Sequence, residues 1–210
     1  MFARACALRG MRKVRVHDLV ELDRSWIERI AESAIREALV VTPWAVVRRA
    51  CAANGSVAIG IRGTTRDGRW PLVAPHAAIL SCVTPESLVT VVPRRRLPAL
   101  LALSAVRRSA VRADIVWGPV GGVGFELATG SPVVTAQSDC DIIVRTGGAW
   151  SALAAFASDV RSLGVRVDAQ VEAATFGFAL DELLGASGSV MAKTPTGPQL
   201  VASPIARASA

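Results

Sequence analysis

Three stretches in the second half of the chain hold residue types suited to phosphoryl chemistry. The first is Trp117-Gly118-Pro119-Val120-Gly121-Gly122-Val123-Gly124, a strand-like start followed by glycines and a helix-like run. Glycines let a backbone approach a ligand closely, and free N–H groups at a helix N-terminus attract phosphate oxygens. The run lacks the Lys-Ser/Thr of a P-loop and does not fit G-x-G-x-x-G, so a plain tight turn is its other reading. The second stretch is Ser138-Asp139-Cys140-Asp141-Ile142-Ile143-Val144. Aspartates at i and i+2 of a strand share a face, with Cα atoms about 6.5–7 Å apart. Such carboxylates can converge on hard cations, and two-metal sites hold their ions about 3.5–4 Å apart. Unneutralised, two like charges at the head of an apolar strand are costly.

The third stretch, Val165-Arg166-Val167-Asp168-Ala169-Gln170-Val171-Glu172, alternates strictly. Its apolar face carries Val165, Val167, Ala169 and Val171, and its polar face carries Arg166, Asp168, Gln170 and Glu172. A third carboxylate beside the D-x-D would complete a metal cage, and Asp168 is more central than Glu172. Each stretch alone has an ordinary reading, as a tight turn, a surface turn or a half-exposed strand. Their order, each on the element it needs, makes the combination informative.

The elements that must position these residues follow from periodicity. In the second half, strands are expected at 114–117, 141–144 and 165–171, and helices at 123–128, 149–163 and 178–184. A hairpin over 190–201, turning at 194–197, completes a β-α-β-α-β-α-β order and a mixed α/β layer. In the first half, residues 24–39 place Trp26, Ile27, Ile30, Ala34 and Leu39 on one helical stripe. Residues 44–50 and 56–63 read as strands joined by Ala53-Asn54-Gly55, with a further turn at Arg66-Asp67-Gly68-Arg69. Pro71 and Pro75 keep the next run irregular or at a sheet edge. Pro98 opens a helix running to about Arg112. The domain boundary is placed at that helix. Residues 11–96 then form a smaller basic α/β domain that binds substrate or carrier, and 97–210 form the catalytic domain.

Composition narrows the class. The 210 residues are 51% apolar and 20% charged, enough to bury roughly 70% of the unfolded surface and too apolar for disorder. Mean hydropathy is +0.41, but the longest apolar runs, such as Leu97–Val106, are about half the ~20 residues of a bilayer crossing. No membrane partner is expected. Residues 1–112 carry 19 cations against 8 anions, a net of +11, whereas 113–210 carry 5 against 9, a net of −4. A basic half joined to an acidic half suits attraction of an anionic partner beside a concentration of carboxylates. Nucleic acid is not that partner, because there is no zinc finger, reading helix or aromatic-basic interleaving.

Cys6, Cys51, Cys82 and Cys140 are scattered without metal-ligand spacing, as in reduced, mostly buried thiols of a cytoplasmic protein. His17 and His76 are too few for a histidine-based zinc site, so a metal must sit on oxygen ligands. Arg4, Arg9 and Arg12 interrupt any apolar core of a signal peptide. Met11 is an alternative start that leaves 1–10 as a disordered extension.

Glycines after a strand, then D-x-D, then a third aspartate on a later strand resemble the nucleotidyltransferase pattern. The gap from Gly122 to Asp139 is longer than usual there, and Gly122 stands where many members have serine. More narrowly, WGPVGGVGFELATG, SDCDIIV, VRVDAQVE and MAKTPTGPQL resemble the phosphoribosyl-dephospho-CoA transferases of malonate decarboxylase, its holo-acyl-carrier-protein synthases. HDLVEL (His17–Leu22), VVRRA (Val46–Ala50) and VAIGIRG (Val57–Gly63) agree more loosely, so the resemblance spans most of the chain.

The resemblance implies a nucleotidyltransferase-like fold and transfer of a phosphoribosyl-dephospho-CoA unit. The donor would be 2′-(5″-triphosphoribosyl)-3′-dephospho-CoA, the acceptor a serine of the malonate decarboxylase acyl-carrier protein, and the leaving group diphosphate. Mg²⁺ or Mn²⁺ on Asp139 and Asp141 would hold the triphosphate. Asp168 would share a second ion or accept the serine proton directly. Gly121 and Gly122 would offer N–H groups to the terminal phosphates. Lys193 contacts phosphate or is simply solvated. Glu126 is left between a supporting group and a helix-surface group. Arg94-Arg95-Arg96 is either a docking turn for an acidic carrier or an exposed basic turn. Arg48 and Arg49, leaving a strand on opposite faces, would send at most one side chain into a shared cleft. Two other functions fit the same pattern: transfer of AMP or another nucleotide to a hydroxyl, and an inactive nucleotide-binding module.

Overall fold

A computed structural model of the chain describes residues 6–7, 13–63, 68–145, 150–173 and 175–205. Short strands and two helices occupy the first half: β1 (Cys6–Ala7), β2 (Leu19–Leu22), α1 (Arg24–Ile27), α2 (Ser33–Val41), β3 (Trp44–Val47), β4 (Ser56–Arg62), β5 (Arg69–Pro75) and β6 (Ile79–Val83). The strands form one antiparallel sheet in the order β1-β6-β2-β3-β4-β5. Val20, Leu22, Ala45, Ile59 and Ile61 pack under Ile27, Ile35 and Leu39 of α1 and α2. Gly55 takes φ +77° in the expected turn before β4, and Ser56 N–H donates to the Ala53 carbonyl. Pro71 and Pro75 lie on the edge strand β5. Arg66 and Asp67 of the next turn lie outside the described residues, as does the expected extension 1–10 apart from Cys6–Ala7, which pairs with β6.

The helix expected over 24–39 is broken. After Ile27 the chain tightens, with Arg29 N–H donating to Trp26 O and Ile30 N–H to Ile27 O. The Arg36 guanidinium then donates to the Ile30 carbonyl at 2.6 Å and so closes the gap from the far side. The break shifts the apolar stripe by one position, burying Ile35 where the periodicity favours Ala34, which is exposed.

The second half contains α3 (Pro98–Arg112), β7 (Val116–Pro119), α4 (Gly121–Thr129), β8 (Cys140–Arg145), α5 (Ser151–Arg161), β9 (Val167–Ala173), β10 (Phe176–Ala179), α6 (Leu180–Gly185), β11 (Ser189–Thr194) and β12 (Gly197–Ala202). The sheet order is β12-β11-β10-β9-β8-β7. β8 and β9 are parallel and are joined through α5, whereas the other pairs are antiparallel. This is the expected mixed α/β layer. The fully buried run Ile142-Ile143-Val144 marks a strand covered on both faces.

Several boundaries differ from expectation, and α4 already begins at Gly121 instead of Val123. β7 starts two residues late, because Asp114 at φ +51° and an Ile115 N–H to Ala110 O bond extend the end of α3. β9 is displaced to 167–173, with Cys140 opposite Val167 at the start of the ladder. Residues 176–179 form a strand where a helix was expected at Phe178. Phe178 is buried there and pairs with Val171 across a hairpin, so the helix begins only at Leu180.

Leu19 and Val83 of the first sheet and Leu88 of the intervening 3-10 turn Pro85–Leu88 belong to the same apolar core as Ile142, Phe156 and Phe178. Gly118 permits this contact, since a Cβ there would lie 2.2 Å from the Pro85 carbonyl carbon. Arg95 and Glu126 form a second tie. The buried Glu126 carboxylate accepts from Val133 N–H, Val134 N–H and Arg95 Nη1, at 2.9, 2.8 and 3.0 Å to one oxygen. Glu126 is therefore a supporting group rather than a helix-surface group, and Arg95 is committed to the fold, leaving Arg94 and Arg96 exposed. Glu126→Ala strands two amides and a guanidinium, and its expected cost is about 2–4 kcal/mol. A urea unfolding midpoint unchanged from wild type would show that this tie contributes nothing.

Candidate active site

β7 ends where the chain must turn sharply into α4, and Gly121 makes that turn at φ +57°. Positive φ alone favours glycine. The neighbouring carboxylate requires it as well, because a Cβ at Gly121 would lie 1.9 Å from Asp141 Oδ2. Asp141 thus rests on the glycine turn, where its backbone carbonyl accepts from Val120 N–H at 2.9 Å and its side chain accepts from the Gly122 N–H. The expected phosphate-facing amide of Gly122 is directed at Asp141.

The parallel register places Asp141 beside Asp168. Burial pushes the Asp141 carboxyl above its ordinary value of 3.8, and the charges of Asp168 and Asp139 push it further in the same direction. The Gly122 amide and the Arg69 guanidinium act against them. Asp139 precedes β8 instead of lying within it, and Arg166 Nη1 donates to its Oδ2 at 2.9 Å. Asp168 is exposed near the start of β9. The three carboxylates share one end of the sheet without converging on a point. Among the described residues, no three His, Cys, Asp or Glu side chains stand close enough together to ligate a metal. Mutual repulsion accounts for the spread, with Asp139 drawn to Arg166 and Asp141 to Gly122. The donor chemistry nevertheless fits a hard divalent cation, with all-oxygen ligands and a buried carboxyl burdened by two neighbouring negative charges.

A cavity of about 330 Å³ opens beside this turn, between the first sheet and α4. His17, Arg48, Arg62, Arg69, Trp70 and Gly121 are among its lining residues. Arg48 reaches it by lying across Gly60, with Cδ 3.2 Å from where a Cβ would be. Arg49 also turns toward the second half and ion-pairs with Glu172. Strand alternation allowed only one of these arginines to do so, but β3 ends at Val47 and an Ala50 N–H to Arg48 O bond turns the chain.

Glu172 organises the polar face of β9. It is contacted by His17 Nε2 at 3.1 Å, by Arg49 and by Gln170. Burial works to raise its pKa, but these partners outweigh it and hold the carboxyl down to about 2. Lys193 Nζ donates to Gln170 Oε1 at 2.7 Å, so its ammonium belongs to this network. His17 itself adopts φ +74°, unusual for a side chain of its size.

The residue order sets Asp168, Gln170 and Glu172 on one face and offers one of Arg48 and Arg49 to a shared cleft, but it does not mark His17, Arg62 or Arg69 as neighbours of the site. The facing ends of a hairpin at Arg62 and Arg69 were the available signal for the last two.

Two family models cover the chain. Residues 15–85 match the phosphoribosyl-dephospho-CoA transferase MdcG N-terminal domain, and residues 87–204 match the corresponding C-terminal domain. The chain belongs to the phosphoribosyl-dephospho-CoA transferase family. A Pseudomonas fluorescens protein named phosphoribosyl-dephospho-CoA transferase is 37% identical over 163 residues, 76% of this chain and 77% of that protein. A Klebsiella pneumoniae protein of the same name is 35% identical over 202 residues, covering 90% and 95%. One from Azotobacter vinelandii is 32% identical, covering 90% and 92%. No solved structure matches the chain. The chain is therefore a transferase, and among its described residues no helix is long and apolar enough to cross a membrane.

Two pH dependences follow for this transferase. A carboxyl raised on folding favours the native state below its unfolded value and loses that contribution as pH rises through its folded value. Asp141→Asn is therefore expected to raise Tm at pH 7 without divalent cations, with the gain fading toward pH 3.8. Equal melting temperatures at pH 7 would count against the crowding of charge at Asp141. Glu172 has the opposite sign, stabilising above pH 4.5 and progressively less toward pH 2. Glu172→Gln should lower stability at neutral pH, with the difference from wild type shrinking over that interval. A pH-independent difference would mean that packing, not charge, explains the loss.

Proposed function

We propose that this transferase attaches a phosphoribosyl-dephospho-CoA group to a serine of the malonate decarboxylase acyl-carrier protein. The donor is 2′-(5″-triphosphoribosyl)-3′-dephospho-CoA. The observation that carries the reading is the presence of Asp139, Asp141 and Asp168 at one sheet end, beside the Gly121 turn, in a chain of this family.

The serine oxygen attacks the α-phosphorus of the donor. The new P–O bond forms as the α–β anhydride bond breaks, and diphosphate leaves with the bonding electron pair. Asp168, the exposed carboxylate near the start of β9, either shares a second ion or receives the serine proton directly. Asp139, Asp141 and Asp168 would hold Mg²⁺ or Mn²⁺, which supplies Lewis-acid neutralisation of phosphate charge when bound. Gly121 keeps the chain thin where the triphosphate must approach, and the Gly122 amide fixes the orientation of Asp141. Lys193 orients Gln170 on the face that carries Asp168. The smaller basic half, placed at 11–96, contributes to substrate and carrier binding, and 97–210 contributes the carboxylates. A reducing, cytoplasmic setting suits the thiol of Cys140, buried with its pKa pushed up to about 12, and that of Cys51, which is exposed where a buried thiol was expected.

Incubation of the protein with Mg²⁺, apo-carrier and the donor should add the mass of one phosphoribosyl-dephospho-CoA unit per carrier, with one diphosphate released. Asp139→Asn, Asp141→Asn and Asp168→Asn should each slow labelling by about 100-fold or more. An AMP-sized gain from ATP, with the longer donor inert, would replace this reading with nucleotide transfer. Near-wild-type rates for all three variants would remove the carboxylates from the chemistry.

A further inference from the structure

The cavity beside Asp141 is lined from the first sheet by three cations. Arg62 ends β4 and Arg69 begins β5, and the two are register partners across the ladder. Directly opposed residues have Cα atoms about 4.5–5.5 Å apart, and like charges so placed destabilise a sheet. Both nevertheless line the cavity, and Arg48 joins them by crossing the bare backbone of Gly60. The arrangement faces the other half, with Arg62 Nη1 3.8 Å from the position a Gly122 Cβ would occupy. A phosphoanhydride chain presents several negative oxygens along one line, enough to meet more than one guanidinium. Guanidinium groups suit such oxygens through paired, charge-assisted hydrogen bonds. Trp70 and Ile61 supply an apolar wall that limits competition from water.

We propose that Arg48, Arg62 and Arg69 form a polyphosphate clamp that grips the β- and γ-phosphates of the donor and stabilises them as they leave. The clamp rests on the donor assigned above, and it makes the first half part of the reaction centre as well as a binding module. As the anhydride bond breaks, negative charge grows on the departing diphosphate, and the guanidiniums that hold it meet that growth without moving. They donate hydrogen bonds only and take no proton.

The probe is inorganic tripolyphosphate, titrated calorimetrically into the full chain without divalent cations. Wild type should bind it and gain thermal stability. Arg62→Gln and Arg69→Gln should each weaken binding at least about tenfold, Arg62→Lys and Arg69→Lys less so, and all four should melt cooperatively. Arg107→Gln with Arg108→Gln, on the exposed face of α3, should leave binding unchanged. With the donor, the glutamine variants should show a lower kcat as well as a higher KM, because the contact strengthens as charge develops. Undiminished tripolyphosphate binding in the cooperatively melting variants would overturn the clamp, as would an equal loss in the Arg107/Arg108 control. Carrier labelling that proceeds while the clamp variants match wild type would leave the proposed reaction standing without it. Arginine-dependent polyphosphate binding without carrier labelling would retain the clamp and reject the reaction.

Discussion

Repulsion among three carboxylates at one end of a mixed sheet is the constraint around which this molecule is arranged. The parallel pairing of β8 with β9 brings Asp141 and Asp168 together, and Asp139 arrives one residue before the strand. In water, unit charges at 4 Å interact by about 1 kcal/mol, and at a partly buried site by about four times that. The fold offsets this with the Gly122 amide, Arg166 and Arg69, two of which lie on the same half and one on the other. The overall division of charge, a basic first half and an acidic second, thus has a local meaning. The junction is where the two signs meet.

The same complementarity fastens the halves away from the cavity. Arg145, at the end of β8, binds Glu86 and donates to the Val16 carbonyl at 3.3 Å, and Arg15 contacts Glu86 at 3.0 Å. Asp18 lies beneath them, with its Oδ2 receiving the Arg15 N–H at 2.8 Å. Its Oδ1 has no hydrogen-bond partner among the described residues, with Arg145 4.0 Å away. Burial raises the pKa of this carboxyl despite the two arginines. Glu172, held by His17 and Arg49, adds a further contact between the halves.

How much of this was legible depended on the range of the forces involved. Alternation in 165–172 is a local property of a strand, so Asp168, Gln170 and Glu172 could be placed on one face from residue order alone. The Asn-Gly turn, the edge prolines and the Pro98 helix start were likewise encoded within a few residues. The break after Ile27 was not, since Glu28 to Glu32 are adequate helix formers and the interruption comes from burying Ile27 and Ile35 against one sheet. Arg95 looked like part of an exposed triplet because its partner, Glu126, is 31 residues away. The arginine-lined cavity was hidden for the same reason, being defined by two sheets whose relative placement no local pattern records.

The family models divide the chain near residue 86, yet Leu19 and Val83 from the first part complete the apolar core under the second sheet. Division into two genes at that point would leave one product with an uncovered apolar seat and the other with unmatched valine and leucine side chains. Each fragment would then depend on finding the other before finding itself. Any lineage that separates these parts must rebuild the seat with polar residues, whereas a continuous chain supplies the missing neighbour at high local concentration for as long as it exists.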